Sequence, residues 1–308
     1  MRGILIGVCA ALVALPAWAQ TQQQRHWCFG AKTTDDQTIA GCTALIQSPR
    51  PDPEELPIAY YNRAVGYFGK RLYDKAIADD TQAIALKADY PEAFYNRGKA
   101  YGAKGLFDQS IADYTQTIAL QPDDADAYNN RGNDELNKNL NDQAIADETQ
   151  AIALNPGLAL AYYNRGSGYD DKGLYDQALA EETHAIALDG KDADFYEERG
   201  LVYQHKGLYD LAIADYGRAI AVAPNDAYGY NGRAWNEHLA GRDAAGLADA
   251  ERAVALAPWD GENVETRAEI YEKLGRREAA VAGYRIALKV EPDMKEALAG
   301  LARMGATP

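Results

Sequence analysis

Small residues recur along this chain at a fixed stride of 34 residues, and larger apolar ones fill the intervals. Units are counted from Pro57, Pro91, Ala125, Ala159, Ala193, Ala227 and Gly261. Position 8 is then Ala64, Gly98, Gly132, Gly166, Gly200, Ala234 and Ala268. Position 20 is Ala76, Ser110, Ala144, Ala178, Ala212, Gly246 and Ala280, and position 27 is Ala83, Thr117, Ala151, Ala185, Ala219, Ala253 and Ala287. Small side chains at fixed points let two helices approach and interlock. Tyr67, Tyr101, Tyr169, Tyr203 and Tyr271 at position 11 fill the space between. These stripes read as core, not as cofactor sites, and predict one two-helix unit built seven times.

The turns keep the same stride. Position 15 is Gly105, Gly173, Gly207, Gly241 and Gly275, as suits a left-handed helix cap. Asn139 is the next-best residue there, and Arg71 departs from the pattern. Pro122, Pro156, Pro224, Pro258 and Pro292 at position 32 close the second helix. Asn-Arg-Gly stands at 96–98, 130–132 and 164–166, and the arginine continues at Arg199, Arg233 and Arg267. An acid at position 23 (Asp79, Asp113, Asp147, Glu181, Asp215, Asp249) offers each arginine a structural partner, from its own copy or the preceding one. The ends of the array narrowly favour pairing across copies, as Asp79–Arg97 and Asp113–Arg131.

An aromatic at 4, a small residue at 8, Tyr at 11, Gly at 15, Ala at 20 and 27 and Pro at 32 resemble the tetratricopeptide repeat family over residues 57–294. The resemblance implies an all-α, right-handed superhelical solenoid. Its expected units are 57–90, 91–124, 125–158, 159–192, 193–226, 227–260 and 261–294. Such stacks need caps. Residues 295–308 supply an eighth first helix, and residues 20–56 supply an N-terminal cap with a Pro-rich link. An exported chain with Cys28 and Cys42 left after processing is expected to pair them, metal binding being the weaker reading.

In this family the first helices line a concave groove through positions 2, 5, 6, 9, 12 and 13. Position 6 carries Asn62, Asn96, Asn130 and Asn164. An amide offers an acceptor and two donors, so it can pair with a peptide backbone in both directions. The row is similar to the asparagine ladder in the repeats of O-linked N-acetylglucosamine transferase. Tyr61, Tyr95 and Tyr163 at position 5 offer flat amphipathic surfaces, and Asn129, Asn133 and Asn137 concentrate the signal in the third copy. That copy also breaks the core pattern with Glu135. A carboxylate clamp is disfavoured, because positions 5 and 6 hold no Lys or Arg. Glu197, Glu198, Asp170 and Asp171, with His205 and His238 nearby, form an acidic patch in the later copies, read as a solvated face, cation or basic-peptide binding being the weaker reading.

Residues 1–19 have a basic start, a short apolar run and Ala17-Trp18-Ala19 before Gln20, as in an export signal. Their removal takes one arginine and no acid, and shifts the net charge from −15 to −16. That balance argues against nucleic acid and anionic lipid as partners. No nucleophile elbow, phosphate loop or HExxH motif is present. The expectation is a non-catalytic adaptor without cofactor or metal, exported to the periplasm of a Gram-negative cell. It would bind peptide or partner protein in its groove, without membrane insertion. The alternative is a passive envelope scaffold that uses convex or end surfaces.

Overall fold

The computed structural model describes residues 17–308, and side chains from residue 21 onward. The export signal expected over residues 1–19 lies, except for its last three residues, outside the described part. Seventeen helices and no strand form among the described residues. None is long and apolar enough to cross a membrane. The chain divides into two compact units, with the boundary between Asp134 and Glu135.

In the first unit, α1 (Ala17–Phe29) packs on α2 (Asp35–Ile46), α3 (Leu56–Gly69) on α4 (Tyr73–Leu86), and α5 (Pro91–Gly102) on α6 (Phe107–Leu120). Each pair also packs on the next, through α2 with α3 and α4 with α5. The boundary falls inside α7 (Ala125–Leu136). The second unit continues with α8 (Asn141–Leu154), α9 (Ala159–Asp171), α10 (Tyr175–Leu188), α11 (Ala193–His205) and α12 (Tyr209–Val222). It ends with α13 (Ala227–Leu239), α14 (Asp243–Leu256), α15 (Gly261–Lys273), α16 (Arg277–Val290) and α17 (Lys295–Arg303). Here too each first helix packs on its own second helix and on the one before it.

The periodic small residues are the contact points. Ala64, Ala76 and Ala83 have no exposed surface, and Ala64, Ala76 and Ala100 share a cluster with Tyr67, Phe68 and Ile77. Position 15 is left-handed in every copy, at φ 70–73° for Gly105, Gly173, Gly207, Gly241 and Gly275. Arg71 (φ 59°) and Asn139 (φ 58°) adopt the same conformation, so the unit imposes the turn even where the residue resists it. Asp192, Asp226 and Asp260 cap α11, α13 and α15 by accepting backbone N–H groups.

Both ends are closed. Cys28 and Cys42 form a disulfide between α1 and α2, with Cα atoms 4.6 Å apart, and pack on Ala59 of α3. At the other end α17 buries Ala297 and Leu301 against Val264, Ala268 and Tyr284.

Candidate functional site

The first helices of the first four copies, α3, α5, α7 and α9, carry two polar systems. The first belongs to the position-7 arginine. Arg63 bonds Asp79 at 2.6 and 2.8 Å, Arg97 bonds Asp113 at 2.7 and 2.8 Å, and Arg199 bonds Asp215 at 2.6 and 2.9 Å. Arg165–Glu181 and Arg233–Asp249 follow the same rule. The acid therefore comes from the arginine's own copy, and the expected Asp79–Arg97 pairing across copies is corrected. The guanidinium still reaches the preceding copy, through a threonine at position 25. Arg97 donates to Thr81, Arg131 to Thr115, Arg165 to Thr149 and Arg199 to Thr183, and Arg63 donates likewise to Thr43 in α2 of the cap, at 3.0–3.2 Å.

The second system joins position 6 to what precedes it. Asn62 Nδ2 donates to the carbonyl of Cys28 at 2.9 Å, and Asn130 Nδ2 to the hydroxyl of Tyr95 at 2.8 Å. Asn96 is buried and donates to Asp80 at 2.7 Å. In the second unit Asn164, also buried, donates to Glu148 at 3.0 Å. Burial pushes Asp80 up to about 8 and Glu148 up to about 9, against the lowering effect of the amide. All four amide nitrogens are thus engaged within the array. The position-5 tyrosines are half-buried: Tyr61 lies 5.2 Å from Tyr90, Tyr95 5.6 Å from Tyr114, and Tyr163 5.3 Å from Phe195 between ring centroids. Asn129 is buried, while Asn133 and Asn137 are exposed.

The register that sets Asp80 against Asn96 sets Glu182 against Glu198. Glu182 is fully buried, and neither carboxyl oxygen has a hydrogen-bond partner. Burial, then the charge of Glu198, raises it well above the usual carboxylate range. Glu198 accepts from Ser167 at 3.1 Å and is raised as well. The acidic patch expected to be a solvated face therefore has buried members, Glu197 and Asp170 among them. His205 Nδ1 lies 3.0 Å from Asp170.

A cavity of about 520 Å³ opens in the second unit, where position 6 has become Gly232 and Thr266. Leu201 and Gln204 of α11 and Tyr228, Asn231 and Trp235 of α13 line it. Glu262 and Glu265 of α15 face them, and Glu291, Asp293, Met294 and Glu296 close the end. These first-helix residues occupy positions 2, 5, 6, 9 and 12, the stripe expected to line a groove. Glycine at 232 is a steric requirement, because a Cβ there would sit 2.3 Å from the ring of Tyr216, which also lines the cavity. The loss of asparagine at position 6 was readable in the chain; the space it leaves beside Tyr216 was not. Among the described residues no group of three or more His, Cys, Asp or Glu side chains is placed to hold a metal ion.

Residues 72–105 match the family model described as TPR repeat, and residues 91–124 and 193–226 match models described as tetratricopeptide repeat. Those segments are tetratricopeptide repeats, and the helix pairs of the other copies follow the same pattern. No curated protein matches it. Solved structures show the same fold. One is a chain of the APC/C hetero-tetramer Cut9-Hcn1, with TM-score 0.68 and 16% identity. The match covers 88% of this chain and 52% of that one, so this chain spans about half its length. A tetratricopeptide repeat protein from Parabacteroides merdae gives TM-score 0.66 at 18% identity, covering 82% of this chain and 98% of that one. MamA protein gives 0.51 at 27% identity, covering 56% and 94%.

Proposed function

We propose that this repeat chain is a non-catalytic interaction module of the cell envelope, which binds an extended peptide or a partner protein on its first-helix face. The observation that carries the reading is the cavity over α11, α13 and α15, open at the groove positions and lined by Trp235 and Tyr228. Its size falls within the range of ligand pockets, roughly 300–1,000 Å³. The asparagines at position 6 carry less of it, since their Nδ2 groups already serve the preceding copy. Export is supported by the Cys28–Cys42 disulfide, which suits an oxidising compartment.

The second reading, a passive scaffold, draws on leucines such as Leu86 and Leu120 that end the second helices exposed. A photo-activatable amino acid placed at 228 or 235, and separately at 86 or 120, tests both in the cells that make the protein. The groove reading expects adducts from 228 and 235. Adducts confined to 86 and 120, or none at all, would overturn it.

A further inference from the structure

The cavity of the second unit has a chemical character beyond its shape. Five carboxyl side chains line it (Glu262, Glu265, Glu291, Asp293 and Glu296) against one ammonium, Lys295. Acidic lining alone is commonplace on a chain of net charge −15. Glu265 is different. It is 92% buried, it lines the cavity, and its Oε1 has no hydrogen-bond partner. Asn231 Oδ1, on the facing helix, is buried without a partner as well. Two unsatisfied acceptors thus belong to one cavity, where each costs free energy until a donor arrives. Burial, with the charges of Glu269 and Glu296, also lifts Glu265 to about 8. A cation placed against it would restore the ionised form.

The apolar part of the wall fits the same guest. Trp235 is held by stacking on His238, with ring centroids 5.0 Å apart, and Tyr228 by packing on Tyr216 at 6.4 Å. Aromatic faces receive both the aliphatic stem and the charge of a long basic side chain. Leu201 and Gln204 add lining from α11 that carries no charge.

We propose that this cavity takes a lysine or arginine side chain presented by an extended peptide. The cationic head sits on Glu265 and Asn231, and the stem lies against Trp235 and Tyr228. The proposal rests on the groove reading and adds the chemistry of the guest. The charge complementarity of an acidic cavity favours a basic peptide over a neutral or acidic one.

The test uses the full chain and three probes: a short capped peptide with one lysine between leucines, the same peptide with norleucine for lysine, and spermidine. Binding is read from the indole N–H resonance of Trp235, assigned with Trp235→Phe. The lysine peptide is expected to shift that resonance and to bind roughly tenfold or more tightly than the norleucine peptide. Glu265→Gln, with an unchanged thermal melt, is expected to abolish that preference. A variant that melts early is replaced by Asn231→Ala, which is expected to weaken the lysine peptide alone. Equal binding of the two peptides, no binding of either, or a preference that survives both substitutions would overturn the proposal. Spermidine binding as tightly as the lysine peptide would also overturn it, in favour of a free polyamine. Photo-adducts at 228 and 235 alongside equal peptide binding would sink only the cation and leave the groove reading standing.

Discussion

At the scale of single residues, the repeated arginine shows how one side chain serves two contacts of unequal weight. Arg97 makes a bidentate pair with Asp113, which is 5% exposed, and donates once more to Thr81 of the preceding copy. Removing the arginine strands a buried carboxylate; removing the threonine hydroxyl costs two hydrogen bonds at an exposed site, the one from Arg97 and one to the Ile77 carbonyl. Arg97→Met is therefore expected to destabilise the chain by about 3 kcal/mol or more, and Thr81→Val by about 1 kcal/mol or less. Thermal melts followed by circular dichroism compare the two directly. Equal losses would show that the link across copies, not the pair within the copy, holds the arginine. The choice of acid was not legible in the chain. Asp79 and Asp113 lie 18 and 16 residues from Arg97, both within one repeat length, and only the crossing of the two helices selects Asp113.

At the scale of elements, two second-helix registers decide what the next first helix can carry. Position 23 turns inward to its own copy, and position 24 meets position 6 of the next. Asp80 with Asn96 and Glu148 with Asn164 are acid–amide pairs. Tyr216 with Gly232 and Tyr284 with Gly300 are large–small pairs, since a Cβ on either glycine would lie 2.3 Å from the ring. Glu182 with Glu198 is acid on acid. The stride, the turns and the small-residue contacts were legible because each repeats in nearly every copy. The position-24 pairs were not, because their chemistry changes from copy to copy while their geometry stays fixed. Glu182 makes the pH dependence testable. Its folded pKa is raised well above 4.5, so the folded chain holds a proton that the unfolded chain releases. Its contribution to stability is complete below the unfolded pKa and is lost as pH rises through the folded one. The melting temperature of Glu182→Gln is expected to fall less than that of the parent between about pH 5 and about pH 8, and to be the higher of the two at the upper end. Parallel pH curves for parent and variant would mean that Glu182 is ionised throughout.

At the scale of the whole molecule, the groove stripe was readable as positions but not as a place. The stripe is written in every copy, whereas the cavity needs Gly232 and Thr266 beside Tyr216, and the segment before α17 to close it. The chain's linear construction also sets how far a disturbance travels. Within each unit the described helix pairs meet their neighbours in sequence, and stability in a repeat array adds up from local units and their interfaces. The disulfide ties α1 to α2 across 14 residues, a loop whose closure stabilises by about 3 kcal/mol. That cap meets the first copy through Asn62 on the Cys28 carbonyl and Arg63 on Thr43. Replacing both cysteines by serine is expected to speed amide hydrogen exchange in α1 and α2 most and in α3 and α4 less. Amides of α11 to α16 in the second unit should exchange at the parent's rate. Mass-spectrometric exchange resolves this pattern peptide by peptide. A loss of protection spread evenly through both units would mean that the stack unfolds as one body, and that its ends do more than cover the first and last apolar faces.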